Sequence, residues 1–156
     1  HDAFRRCRHM VAEIPHAREF LEFCREHRLR TFLLSSVHRD HYIVQAEATG
    51  FGAYLDHVFV EVRDKRTKMR GLVAEHGLLQ DETIFVGDME HDVEAARAGG
   101  VYACAVLTGY NHPEQLRACA PDLLVEHLGE LRDWLTREGF EIRAALEKQE
   151  SEQQQS

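Results

Sequence analysis

Residues 83–107 read TIFVGDMEHDVEAARAGGVYACAVL, and this stretch decides the fold. TIFVGD, at 83–88, is rich in β-branched and aromatic residues and predicts a strand. Residues 90–98 predict a short helix, closed by Gly99 and Gly100. VYACAVL, at 101–107, predicts the next strand. Strand, short helix and strand form a βαβ unit, and such units build parallel sheets.

The alternation continues outward in both directions. Upstream, Pro15 is placed to open a helix, and Ala17, Phe20, Leu21 and Cys24 recur at helical spacing. A short strand from Thr31 to Leu34 ends at Ser35 and Ser36. A helix over 40–49 stops at Gly50. HVFVEV, at 57–62, predicts a strand, and 65–76 a helix with Met69, Leu72 and Val73 on its apolar face and Gly77 ending it. Downstream, DLLV at 122–125 predicts a short fifth strand, followed by helices through LGELRDWLTREGF and EIRAALEK. The expected architecture is α/β: a Rossmann-like parallel sheet with flanking helices and apolar strands covered on both faces. Right-handed crossovers put the strand carboxyl ends on one edge, outside which ligands bind. The core is expected to span 15–146 as one domain. Residues 147–156 form a polar tail expected to be disordered.

Composition narrows the function. The 156 residues carry 19 basic and 27 acidic side chains, a formal charge of −8, which argues against nonspecific nucleic-acid binding. No apolar run approaches the ~20 residues of a membrane span, and residues 1–20 are too charged for a secretory leader. Cys7, Cys24, Cys104 and Cys119 are scattered and form no Cys-x-x-Cys pair, as expected of free thiols in a reducing, cytoplasmic setting. His38, His41 and His91 invite a zinc reading, but no ligand-spaced cluster supports it.

Three motifs can carry chemistry. In FVGDMEHD, Gly87 leads to Asp88 at a strand end, and Asp92 follows one helical turn later. Two carboxylates on one edge suit a hard cation such as Mg²⁺; the plainer reading is that Asp88 and Glu90 cap the following helix. Ser35 and Ser36 end a buried strand, where a hydroxyl and backbone N–H groups can hold a phosphate oxygen. Lys65 starts a helix, a position the helix dipole disfavours unless an anion lies nearby. The plainer readings are a strand-to-loop serine pair and a solvated lysine among Arg63, Arg66, Lys68 and Arg70.

Serine, then lysine, then Gly-Asp-x-x-x-Asp, all at strand carboxyl ends, resembles the haloacid dehalogenase (HAD)-like hydrolase superfamily. LLSS is similar to its second motif, Lys65 to its third, with Lys68 as a substitute, and GDMEHD to its fourth. The surrounding EIPHAREFLEFCREHRLRTFLLSS, VGDMEHDVEAARAGGV, AVLTGY and PDLLVEHLGEL resemble the phosphoglycolate phosphatase-like branch over about 14–131. The branch's common Lys-Pro pattern is absent, since Arg66 follows Lys65. The resemblance implies a Mg²⁺-dependent phosphohydrolase of a small phosphorylated metabolite, acting through an aspartyl-phosphate. Ser35 would hydrogen-bond the phosphoryl group, with Ser36 helping through its amide. Lys65 would neutralise charge, Asp88 would bind Mg²⁺ and Asp92 would support the metal site.

The family's first motif, an Asp-x-Asp on the central strand, occurs nowhere in these 156 residues. The family strand order 5-4-1-2-3 would then lack its central member. HDAFRRCRHMVAEI, at 1–14, would be a cap or linker-helix remnant. With a non-Met start, the expectation is a fragment of a longer protein, inactive alone. Unpaired strand edges leave self-association or complementation by another chain open. The alternatives are a noncatalytic HAD-like module that binds a phosphorylated ligand or partner, and, within the superfamily, a dehalogenase or a phosphomutase. A signalling receiver domain needs its acids before its Ser/Thr and Lys, and the order here is the reverse.

Overall fold

Short apolar runs become parallel strands in two separate ladders. A computed structural model describes residues 16–107 and 112–155. The chain folds as two compact units that divide between Asp64 and Lys65, where the sequence reading expects one domain. The remnant helix at 1–14, Pro15 and the TGY of AVLTGY lie outside the described residues.

In the first unit, helix α1 spans Ala17–Glu26, strand β1 Phe32–Leu34, helix α2 Arg39–Thr49 and strand β2 His57–Phe59, with a 3₁₀ turn at Phe51–Tyr54. β1 and β2 pair in parallel, Phe32 opposite His57 and Leu34 opposite Phe59. α1 buries Ala17, Phe23 and Cys24; of the expected stripe, Phe20 and Leu21 are only half-buried. α2 stops at Gly50 as expected, in the left-handed conformation with φ +74°. The expected strand at 57–62 ends early, at Phe59. Glu61 turns left-handed, with φ +59°, and its N–H reaches the Val37 carbonyl at 2.9 Å instead of continuing the ladder.

In the second unit, helix α3 spans Lys65–Glu75, strand β3 Ile84–Gly87, helix α4 Glu90–Gly99 and strand β4 Tyr102–Val106. Helix α5 follows at Pro113–Ala118, strand β5 at Leu123–Val125, helix α6 at Leu128–Arg137 and helix α7 at Ile142–Gln155. The order is β3-β4-β5, all parallel, with Ile84 opposite Tyr102 and Cys104 opposite Leu123. Central β4 is buried from Ala103 to Val106, so both its faces are covered. α3 sets Met69 and Leu72 inward. The two glycines ending α4 do different work. A Cβ on Gly99 would lie 2.4 Å from Met69 Cγ, whereas Gly100 supplies the left-handed cap at φ +72°.

The hydrogen-bond ladder is thus in two pieces, a pair and a triple. The polar tail departs from expectation, for α7 is helical through Gln155. Glu, Gln and Lys are good helix formers, Arg143 pairs with Glu147 at 3.3 Å one turn on, and Ser151 Oγ donates to the Glu147 carbonyl at 3.1 Å. No described helix is long and apolar enough to cross a membrane.

Candidate active site

The sequence of β3 and α4 forces a carboxylate back over the strand end. β3 stops at Gly87, Asp88 follows half-buried, and Met89 is the N-cap of α4. Asp92 is the third residue of that helix. Its Oδ2 accepts the Met89 N–H at 3.2 Å, satisfying a donor at the helix start. The carboxylate therefore leans over Gly87, where an added Cβ would stand 2.3 Å from Asp92 Cβ. The Gly of Gly-Asp-x-x-x-Asp is required by this close approach. Asp92, which the plainer reading of the motif as caps did not include, accepts the Met89 N–H at the start of α4.

Lys65 is the first residue of α3, and its ammonium donates to Asp92 Oδ1 at 2.7 Å. The two side chains are only 12% and 6% exposed. A lysine so withdrawn from water needs a counter-charge, and Asp92 is that counter-charge. This also removes the helix-dipole objection to Lys65, for which the sequence reading looked to a phosphate. Lys65, and not Lys68, is the lysine the structure sets on Asp92.

Ser35 belongs to the first unit. Its N–H donates to the Phe59 carbonyl at 2.9 Å, its carbonyl accepts from Val62 N–H at 3.0 Å, and its Oγ accepts from Val37 N–H at 3.1 Å. The hydroxyl proton remains to be donated elsewhere. Ser36 is exposed. The structure thus brings Lys65, Asp92 and Gly87 together, sets Asp88 one residue beyond β3, and anchors Ser35 at the end of β1. Two clefts beside α1, one of about 360 Å³ lined by Arg25, Arg28, Arg30 and Tyr54, contain none of these residues.

The fit to Mg²⁺ is partial. Oxygen donors on Asp88 and Asp92 are the right chemistry, but both Asp92 oxygens already accept from protein donors. Among the described residues no group of three or more His, Cys, Asp or Glu side chains is arranged to hold a metal, zinc included. Mg²⁺ sites commonly use one or two carboxylates, with water and substrate phosphate completing the shell. The buried thiols are not poised as nucleophiles. Burial pushes Cys24 up to about 11 and Cys104 up to about 12.

Residues 65–131, from the paired lysine to α6, match the family model described as HAD-hydrolase-like. These residues are similar to the HAD-like hydrolases. The resemblance read from the motifs agrees with this match and with similarity to curated phosphoglycolate phosphatases. The phosphoglycolate phosphatase of Synechococcus elongatus is 38% identical over 76 residues, which are 49% of this chain and 36% of that enzyme. That of Aliivibrio fischeri is 33% identical over 66 residues, covering 42% of this chain and 29% of its own length. The chain therefore spans about a third of these curated relatives. The crystal structure of a HAD phosphatase from Thermococcus onnurineus shares the fold, with TM-score 0.71 and 20% identity over 86% of this chain and 63% of that one. The HAD-like α/β architecture of parallel strands and flanking helices is thereby established. Gly87, named within the motif, had no physical role until Asp92 was seen folded onto it.

Proposed function

We propose that this chain supplies the lysine and acidic motifs of a Mg²⁺-dependent phosphohydrolase. Its substrate is a small phosphorylated metabolite of the phosphoglycolate type, and it works in the cytoplasm. The observation that carries this reading is the buried Lys65–Asp92 ion pair at the carboxyl end of β3, one turn from Asp88. Lys65 neutralises charge on the phosphoryl group, and Asp92 keeps its ammonium aimed. Ser35 donates its hydroxyl proton to a phosphoryl oxygen, and the Ser36 amide adds a second donor. Asp88 would hold the cation, and Asp92 would support that metal site. A bound Mg²⁺ would neutralise phosphate charge and orient the group for displacement. The nucleophilic aspartate, and the aspartyl-phosphate formed on it, belong to a segment outside these 156 residues.

The test is hydrolysis of 2-phosphoglycolate by the full-length gene product, with and without Mg²⁺. Mg²⁺-dependent turnover, absent from the 156-residue chain alone, is expected. Background hydrolysis by the full-length protein, with phosphate still bound, would instead favour the noncatalytic phosphate-binding module.

A further inference from the structure

The loop that carries Ser35 is held from outside by a residue with no part in the chemistry above. Ser35 is anchored at its N–H, its carbonyl and its Oγ. Two donors stay unspent: the Ser35 hydroxyl proton and the Ser36 N–H, which has no hydrogen-bond partner among the described residues. Past them the chain is fixed by Glu61. Its N–H donates to the Val37 carbonyl at 2.9 Å, and its Oε1 accepts the Arg39 N–H at 3.1 Å. Arg39 opens α2, so this N–H is one of the donors a helix start leaves unsatisfied. The next N–H, of Asp40, is taken by His38 Nδ1 at 3.2 Å. Glu61 and His38 thus share the capping of α2, with His38 Nε2 4.0 Å from the Glu61 carboxylate.

Glu61 does this at φ +59°, a conformation that favours glycine. Glycine would fit that backbone without strain, but it could not accept the Arg39 N–H. The side chain, not the turn, is what a glutamate contributes here. We infer that Glu61 is a positioning residue, which locks the Ser35–Ser36 donor pair so that both face one phosphoryl oxygen group. The inference rests on Ser35 being a phosphate-binding residue.

The test uses the full-length protein with Glu61→Ala, Glu61→Gly, Glu61→Gln, Ser35→Ala and the Ser35→Ala/Glu61→Ala double variant. Two quantities are read: inhibition of 2-phosphoglycolate hydrolysis by inorganic phosphate, and amide hydrogen exchange at Val37 and Arg39. Glu61→Ala and Glu61→Gly should each weaken phosphate inhibition about 5- to 10-fold and speed exchange at both amides. Glu61→Gln, whose amide oxygen still accepts, should stay within about twofold of the parent. The double variant should be no worse than Ser35→Ala, because both act through one group. Full additivity, or a Glu61→Gln variant as impaired as Glu61→Ala, would overturn the inference. If Ser35→Ala leaves phosphate inhibition unchanged, the reading of Ser35 fails first. The exchange rates then decide separately whether Glu61 holds the loop: unchanged exchange in Glu61→Ala refutes it, and faster exchange rescued by Glu61→Gln sustains it.

Discussion

At the scale of single residues, the site depends on a missing side chain as much as on charged ones. Asp92 is pinned by Lys65 on one oxygen and by Met89 on the other, so it cannot step aside for a new neighbour. Gly87→Ala should therefore cost about 3 kcal/mol, an overpacking penalty read from urea unfolding. A loss below about 0.5 kcal/mol would show that Asp92 is not where this account has it. The thiols give a second check. Cys24 and Cys104 titrate high because burial disfavours the thiolate. A raised folded pKa means that the stabilisation is complete below the unfolded value of about 9 and fades as pH climbs through the folded value. At pH 8 Cys119, only half-buried, should be alkylated well before Cys24 and Cys104, as peptide mapping by mass spectrometry would report. Equal rates would contradict the burial. The spacing of Asp88 and Asp92 was legible in the sequence. Their unequal duties were not, because hydrogen bonding to Met89 and Lys65 is a tertiary fact.

At the scale of elements, glycine punctuation carried most of the reading. Gly50 and Gly100 stop α2 and α4 as expected, since only a residue at ease with positive φ closes a helix that way. Strand lengths were harder, because a strand ends where its partner does. β2 stops at Phe59 opposite Leu34, although Val60 and Val62 continue the β-rich run. The helical tail is hidden in the sequence for a different reason. Polar composition argues against a packed core, but it does not argue against an exposed helix. Residues 151–155 are exposed helix with nothing buried beneath them. Removing residues 151–156 should lower the far-UV helical signal while shifting stability by less than about 0.5 kcal/mol. An unchanged helical signal would mean that the tail is not helical in solution.

At the scale of the whole molecule, the two ladders differ in how much they bury. Among the described residues, the first unit's buried hydrophobics are Ala17, Phe23, Cys24 and Leu34, while the rest of the core belongs to the second unit. The second unit is also where the family match begins, at Lys65. A sequence can display a βαβ rhythm across its whole length without revealing where the ladder breaks, since strand pairing is nonlocal. The central claim is that Lys65, held by Asp92, works on a phosphoryl group. It is tested most directly by kcat/KM of the full-length protein for 2-phosphoglycolate in Lys65→Met and Lys68→Met, compared side by side. The account predicts a loss of about 10²- to 10³-fold for Lys65→Met and a change within about threefold for Lys68→Met. Equal losses, or a loss confined to Lys68→Met, would contradict it.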